Sequence, residues 1–390
     1  MMGTPSVPAP GSDSRLHVRI IVGTDEFDAL RGDWNAIVEN QDRASVFLSH
    51  QWFDAAWQWR RETAQLFIIG VFRGERLTAV LPLVRSYGEG RRQRTLEFLT
   101  VPDTQFCDVL MGAEDRQAAA LAMADALVSR RREWDVLRLA YLPEASVAAG
   151  DLAAALSLRK IRNAYAPTTR NPYVPLDAPW DAYYATRSRS LKKANNLCAN
   201  RLGKAGTVEI RRFAPGAMEA STVESVIDDV TSISARSWKT QRTTNALDQP
   251  GPQAFIRRLS RLACDAGWLS VWTLSLDGKP LAMEYQLIAG GSVYALRSDF
   301  DAAYEELSPG SHLNRVLLER LCGEGLQRYF MGPGNNAYKR RWTEIDVGVG
   351  ELVAFSPTAR GRVAATWQLV IKPRLRSFRE RRFSVRRHDS

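Results

Sequence analysis

The sequence predicts an α/β (α+β) chain of two tandem lobes, each a mixed, largely antiparallel sheet flanked by helices. Three observations carry this expectation. At 390 residues the chain exceeds one ordinary core and suits two domains of about 150 to 200 residues. The order helical start, antiparallel strands, helix, strand occurs twice, although no residue-level repeat is visible. Pro172, Pro175 and Pro179 punctuate the middle of the chain. The expected parts are a disordered leader over 1–15, lobes over 16–178 and 179–358, and a basic C-terminal helix and tail over 359–390.

In the first half, 16–22 reads as a strand and Glu26 to Glu39 as a helix. Ser49 is a good N-cap for a helix carrying Trp52, Ala56 and Trp59 at helical spacing. Strand-like runs follow at 66–72, 77–84 and 106–111, the first two joined at Arg73-Gly74-Glu75. A helix over Glu114 to Arg131, a strand over 134–141, a helix near 145–158 and a strand ending at 172–176 complete this half.

The second half opens with a basic helix over 181–203 and a strand over 207–213. Helices at 217–238 and 252–266 lead into strands 268–276, 280–289 and 292–298. Asp277-Gly278 and Gly290-Gly291 between those strands supply hairpin turn chemistry. An amphipathic helix over His312 to Cys322, a strand at 327–331, a loop over Gly332 to Trp342 and a strand at 350–355 follow.

Composition narrows the function. Hydrophobic residues at 45% and charged residues at 25% match a soluble globular protein, and no run reaches the roughly 20 apolar residues of a membrane span. Cys107, Cys198, Cys264 and Cys322 lack metal-ligand spacing and suit a reducing compartment, so a cytoplasmic location is expected. From Lys372 to Ser390 eight basic residues face two acidic ones, a net of +6 that leaves only about +4 of the total +10 for the rest. Such a tail suits peripheral contact with an inner-membrane surface or a solvated end; charge alone does not single out nucleic acid as a partner. Neither a P-loop nor a Gly-x-Ser-x-Gly elbow is present, and the four histidines offer little to a triad or a metal site. No metal is expected.

The most informative stretch is Asp299 to Glu319. A helix starting after a strand and the turn Ser308-Pro309-Gly310-Ser311 presents unpaired N–H groups and a positive dipole end to an anion. The same turn fits a well-capped surface helix. No acid stands in its first turn, whereas the matching helix of the first half opens Gly112-Ala113-Glu114-Asp115, and those carboxylates would repel a pyrophosphate. A nucleotide-like ligand is therefore expected in the second lobe alone.

Several segments resemble the acetyltransferase domain of CelD/BcsL-type proteins, a branch of the GNAT superfamily related to the FemABX aminoacyl transferases. They are the basic helix from Arg187 to Lys193, the stretch Asp301 to Gly310, the segment Gly332 to Trp342, and Phe47 to Trp52. The resemblance runs over most of 45–355 through loose patterns. It implies two GNAT-like lobes, the first without cofactor, and acetyl-CoA or another acyl-CoA as co-substrate. It further implies a small-molecule or saccharide amine acceptor and a role in cellulose or exopolysaccharide production.

In that setting Ser308, Pro309, Gly310, Ser311, His312 and Leu313 are the expected cofactor cradle. Glu284 is the leading base: alternation sets it with Gln286 opposite Leu281, Met283, Tyr285 and Leu287, and burial would tune its acidity. The other reading of Glu284 is a cross-strand partner of Arg297. The family pattern favours Asp301 over Asp299 as a further catalytic carboxylate. Tyr338, with Tyr304 second, is the expected acid for the departing thiolate, and packing against Trp342 is the alternative. Asn335, Asn336, Lys339 and Trp342 form the expected substrate wall. Arg187, Arg189, Lys192, Lys193 and Arg201 either meet phosphates or an anionic acceptor, or simply line a solvated face.

Two rival functions remain open: a non-catalytic GNAT-fold partner in an exopolysaccharide assembly, and a Fem-like aminoacyl transferase. The chain lacks the long paired-helix arm that serves RNA in the Fem relatives.

Overall fold

The structure, a computed structural model, describes residues 15–41, 45–86, 93–214, 221–237 and 247–372. The expected leader and nearly all of the basic tail lie outside these residues. Fifteen strands occur among them, in two sheets flanked by helices, and neither sheet closes into a barrel.

The first half supplies β1 (Leu16–Ile21), β2 (Ala64–Leu66), β3 (Ile68–Arg73), β4 (Arg76–Leu81), β5 (Leu83–Ser86), β6 (Thr95–Phe98), β7 (Leu110–Met111), β8 (Val136–Pro143) and β9 (Arg162–Pro175). The second half supplies β10 (Val208–Phe213), β11 (Leu269–Leu276), β12 (Lys279–Ala289), β13 (Ser292–Phe300), β14 (Arg328–Phe330) and β15 (Asp346–Phe355). Four strands pair in the order β1-β3-β4-β7. The other eleven form one sheet, β10-β11-β12-β13-β14-β9-β15-β8-β6-β5-β2.

That order welds the halves together. β9 pairs with β14 through Tyr173, Val174 and Pro175 and with β15 through the rest of its length. β15 also pairs antiparallel with β8, so a strand near residue 350 is completed by strands far earlier in the chain. One hydrophobic core follows the same path, from Ile21 and Trp34 through Leu127 to Phe255, Tyr285 and Leu352. A second cluster covers the opposite face of β11 and β12, with Trp272, Leu317, Tyr329 and Trp342 at its centre.

The meander β11-β12-β13 turns where the sequence predicts. Asp277 and Gly278 both take positive φ, 48° and 79°, which a two-residue hairpin turn of this hand requires. Other expectations are corrected. The 181–203 segment is two helices, Trp180–Ala185 and Arg189–Ala205: the first closes at Thr186, and Ser188, in an extended conformation, caps the next by accepting from the Leu191 amide. The loop 332–342 contains a helix, Ala337–Trp342, capped by Asn336 accepting from the Lys339 amide at 3.0 Å. The 106–111 run is strand only at Leu110–Met111; the Cys107 amide is spent on the Tyr141 carbonyl. The helix expected from Glu114 begins at Arg116, and Asp115 just outside it is paired with Arg73, so no acid lies in its first turn.

Candidate active site

β13 and β14 run parallel for only three residues, Ser292 to Tyr294 against Arg328 to Phe330. Beyond Tyr294, β13 keeps its bonds to β12 alone, while the other chain turns away through Gly332 (φ 82°) and Gly334 (φ 105°). The result is a V between two parallel strands. Gln105 reaches into it from the first half, donating from Nε2 to the Ala295 carbonyl at 2.8 Å. Asn171 Nδ2 holds the Gln105 amide oxygen at 3.1 Å. The Asn171 Oδ1 atom is buried without a partner. Gly332 is required by its φ of 82°, which side-chain-bearing residues rarely adopt; a Cβ would find ordinary contact distances, 3.7 Å to the Ala295 carbonyl oxygen and to Lys339 Nζ.

One arm of this V leads to the helix Pro309–Leu321. Ser308 sets its start in a left-handed conformation (φ 53°, ψ 51°), and its carbonyl accepts from the amides of Ser311 and His312. Pro309 has no N–H to satisfy, and no acidic residue lies in the first turn. What faces outward is the Gly310 amide together with the dipole of a 13-residue helix. Burial, aided by Arg315, depresses the His312 imidazole, whose Nδ1 atom is enclosed and unpartnered. A Cβ on Gly310 would meet Phe300 Cδ1 at 3.3 Å. Leu313 turns into the core.

Glu284 lies in β12 with 1% of its surface exposed. Alternation holds from Met283 onward, since Met283, Tyr285 and Leu287 join one core while Glu284 and Gln286 face the other; Leu281, expected with the first set, joins the second cluster instead, across the irregularity in the β11–β12 register. The Glu284 carboxylate accepts from the Tyr329 hydroxyl and, at 2.7 Å, from Gln286 Nε2. Gln286 in turn accepts from Trp272 Nε1 at 3.1 Å and Ser270 Oγ at 3.3 Å. Asn314 of the Pro309 helix donates to Tyr329 at 3.2 Å and leaves its own Oδ1 buried and unpartnered. Tyr338 is 40% exposed, and its hydroxyl lies within electrostatic reach of Glu284 and Tyr329. Burial first, and the Glu284 charge second, raise its pKa. The Trp342 indole N–H faces that hydroxyl, but it falls short of hydrogen-bond geometry, and Nε1 is left unpartnered. Tyr329 is raised for the same two reasons.

The structure therefore brings Glu284 and Tyr338 together and adds Tyr329 and Asn314. Sequence reasoning missed the latter pair, although Asn314 had a signal: it interrupts the apolar stripe of its helix. Arg297, the alternative partner for Glu284, is bound to Asp103 instead. Asp301 is not drawn into the cluster. Its carboxylate caps the following turn through the Ala303 amide and pairs with Arg236 at 2.8 Å. Burial raises Asp301, but these partners outweigh it and hold its pKa low. Asp299 accepts from Ser234 and Ser237, and Tyr304 lies beneath Lys279.

The expected substrate wall is largely committed to local structure. Asn335 accepts from Arg340, Asn336 caps the short helix, and Lys339 bonds the carbonyls of Gly332 and Pro333. Trp342 is buried, and its carbonyl accepts from Tyr183 and Arg187. Among the basic residues, Lys192 bonds the Ala185 carbonyl and Arg201 that of Glu306, while Arg189 and Lys193 are exposed. Among the described residues no cluster of three metal-ligating side chains occurs, and no helix is long and apolar enough to cross a membrane.

Residues 189–340 match the acetyltransferase (GNAT) domain. No curated protein matches the chain. Among solved structures it is similar to FemX (TM-score 0.55, 10% identity), with 87% of this chain and 98% of that one covered. It is also similar to a conserved protein of unknown function from Bacteroides thetaiotaomicron (0.53, 12%, covering 87% and 99%). A third is the C-terminal domain of a protein described as a lysylphosphatidylglycerol synthetase from Agrobacterium fabrum (0.52, 13%, covering 87% and 96%). At such identities the likeness speaks for the fold alone. Over residues 189–340 the chain carries an acetyltransferase domain of the GNAT superfamily.

Proposed function

We propose that this protein transfers an acyl group from acyl-CoA, acetyl-CoA being the first donor to test, directly to an amine on a small molecule or saccharide. The observation that carries the reading is the pairing of a splayed V with an acid-free helix start beside a buried Glu284 and the Tyr338 hydroxyl. In this reading the C-terminal lobe (179–358) holds the donor and the N-terminal lobe (16–178) none. The donor's phosphates rest on Ser308 to Leu313. The fit there is the outward Gly310 amide and the unpartnered imidazole nitrogen of His312.

In the transfer, the amine nitrogen attacks the thioester carbonyl, a C–N bond forms and the C–S bond breaks. The ammonium proton must leave and the thiolate must gain one. Glu284 is sealed from solvent, so a proton reaches it by way of Tyr338 or a water beside it. Tyr338 stays protonated at neutral pH because burial and Glu284 raise its pKa, and it is the donor to the thiolate. Asp301 is dropped from the catalytic set, since its partners fix it as a low-pKa structural anion. A place in exopolysaccharide production rests on the resemblance of the motifs from Arg187 to Lys193 and Gly332 to Trp342. Contact of the basic tail with an inner-membrane surface rests on charge.

Calorimetric titration with acetyl-CoA, beside Gly310→Asp, tests the reading. Binding by the wild type and its loss in the variant support it; the added carboxylate repels phosphates and crowds Phe300. Failure of acetyl-CoA and longer acyl-CoAs to bind would sink it and leave the non-catalytic partner. Aminoacyl-RNA copurifying with the protein would favour the Fem-like alternative.

A further inference from the structure

The far side of the helix Ala337–Trp342 borders a second concavity, a cleft of about 990 Å³. That volume suits a small organic ligand, for which sites of about 300 to 1,000 Å³ are usual. Pro175, Ala182 and Ile345 give it an apolar wall, and Arg187, Arg340 and Arg341 give it charge. Glu344 is the acid in the lining.

The three guanidinium groups differ in how they are used. Arg340 is neutralised by Asp346 at 2.7 Å. Arg187 bonds only neutral acceptors, the Trp342 carbonyl and Thr186 Oγ1. Arg341 is exposed and makes no hydrogen bond or ion pair with any described residue. Two uncompensated cations thus face one carboxylate across an apolar floor.

Arg187 is also held in place. Its guanidinium lies 4.9 Å over the Tyr183 ring, and Tyr183 donates to the same Trp342 carbonyl at 2.6 Å. Immobilising a guanidinium on neutral acceptors keeps its charge and its remaining N–H groups available, which favours an anion with several oxygens. Ser188, also in the lining, caps the 17-residue helix Arg189–Ala205, whose first turn carries no acid. Its dipole adds to the same positive field.

We infer that this cleft binds a phosphate ester, with Arg187 and Arg341 on the phosphate oxygens and the organic group against Pro175, Ala182 and Ile345. A carboxylate would be satisfied by one guanidinium fork; two cations and a helix start match the several oxygens of a phosphate ester. The site is separate from the donor cradle at Ser308. Arg341 follows Tyr338 by three residues in the helix Ala337–Trp342, so an ester bound here lies within one helical turn of a candidate catalytic residue. Its role as the anchor of a phosphorylated acceptor is the one step that rests on the acyl-transfer reading.

The test is calorimetric titration of the full chain with phenyl phosphate, together with sedimentation with phosphatidylcholine vesicles containing or lacking phosphatidylglycerol. Phenyl phosphate binds the wild type, and Arg341→Gln weakens it at least tenfold with an unchanged melting curve. Arg187→Gln does the same where it folds. Binding only to the phosphatidylglycerol vesicles, lost in Arg341→Gln, also supports the site and assigns the phosphate to a lipid headgroup. Gly310→Asp keeps phenyl phosphate binding while losing acetyl-CoA. The inference falls if neither probe binds, if Arg341→Gln binds both as the wild type does, or if Gly310→Asp abolishes phenyl phosphate binding. Failure of acetyl-CoA alone to bind overturns the transferase reading and leaves this site standing.

Discussion

Arg297 of β13 grips Asp103 of the first half through Nε and a terminal nitrogen, at 2.9 and 2.7 Å, with only 7% and 10% of the two side chains exposed. The pair stands next to Ala295, whose carbonyl accepts from Gln105. The segment from Asp103 to Gln105 therefore fixes the edge of β13 where the V opens. A second clasp joins the halves elsewhere: Arg258 donates to both carboxylate oxygens of Asp54, at 3.0 and 2.6 Å.

Removing one partner of a buried ion pair strands the other charge in a poorly solvated place, which typically costs about 3–5 kcal/mol. Asp103→Ala is expected to destabilise the chain by an amount near the lower end of that range, because Arg297 has further interactions. Urea denaturation checks it. If the pair is a clasp between halves, the acetyl-CoA affinity of the folded variant falls too. A stability change below about 0.5 kcal/mol, the size of an ordinary surface substitution, would contradict the assignment.

Much of the site's frame was legible locally and little of its closure was. The Asp277-Gly278 turn, the alternation about Glu284 and the presence of a helix after Ser308 all follow from residues within a few positions of one another, although that helix begins at Pro309 and not at His312, the expected turn being its first turn. The partner of Arg297 lies at Asp103, and β15 lies between β8 and β9. Nothing in a strand's own period says which distant strand will border it, since alternation sets a face and not a neighbour. β6 was missed because four residues are too few to display a period. Tyr329 went unmarked because a strand of three residues, Arg328–Phe330, gives no hint that one hydroxyl is aimed at a carboxylate. The helix Ala337–Trp342 had a readable cap in Asn336, overridden by the Gly and Pro residues before it.

Under the proposed chemistry, Glu284→Gln keeps the hydrogen-bonded shape while removing the proton acceptor. It is expected to lower kcat about 100-fold or more, the usual scale for a general base, with acetyl-CoA affinity little changed. Tyr338→Phe lowers kcat and leaves the melting temperature near that of the wild type, because its ring remains two-fifths exposed. Steady-state kinetics with separately measured donor affinity decide the matter. Full activity in Glu284→Gln would remove Glu284 from the mechanism.

Asp108 is a half-buried carboxylate whose pKa burial raises to about 6, against the pull of Ser146 and the Val109 amide. A carboxylate raised in the folded state adds stability that is complete below the unfolded value near 3.8 and is lost as pH climbs through about 6. Asp108→Asn keeps the Ser146 bond available and removes the penalty. It is expected to be more stable than the wild type at pH 7 by about 1–2 kcal/mol, after discounting for partial exposure, with the difference gone at pH 4. Chemical denaturation at the two pH values tests this, and a deficit at pH 7 would refute it.

His50 works in the opposite direction. It is fully buried, stacked on Phe27 at 4.3 Å, with Nε2 2.9 Å from the Phe27 carbonyl. Burial lowers its pKa to about 4, although the Phe27 bond resists that shift. A histidine depressed in the folded state contributes stability that is present above the unfolded pKa of about 6.5 and is lost as pH falls toward 4. Between pH 4 and 6 the contributions of His50 and Asp108 to the wild type's stability thus run in opposite directions as pH rises. Removing one group at a time exposes the other. In Asp108→Asn, stability climbs from pH 4 to 6; in His50→Gln it declines over the same window. Denaturant midpoints at half-unit steps of pH measure both slopes, and parallel profiles for the two variants would show that neither group is coupled to folding as its surroundings require.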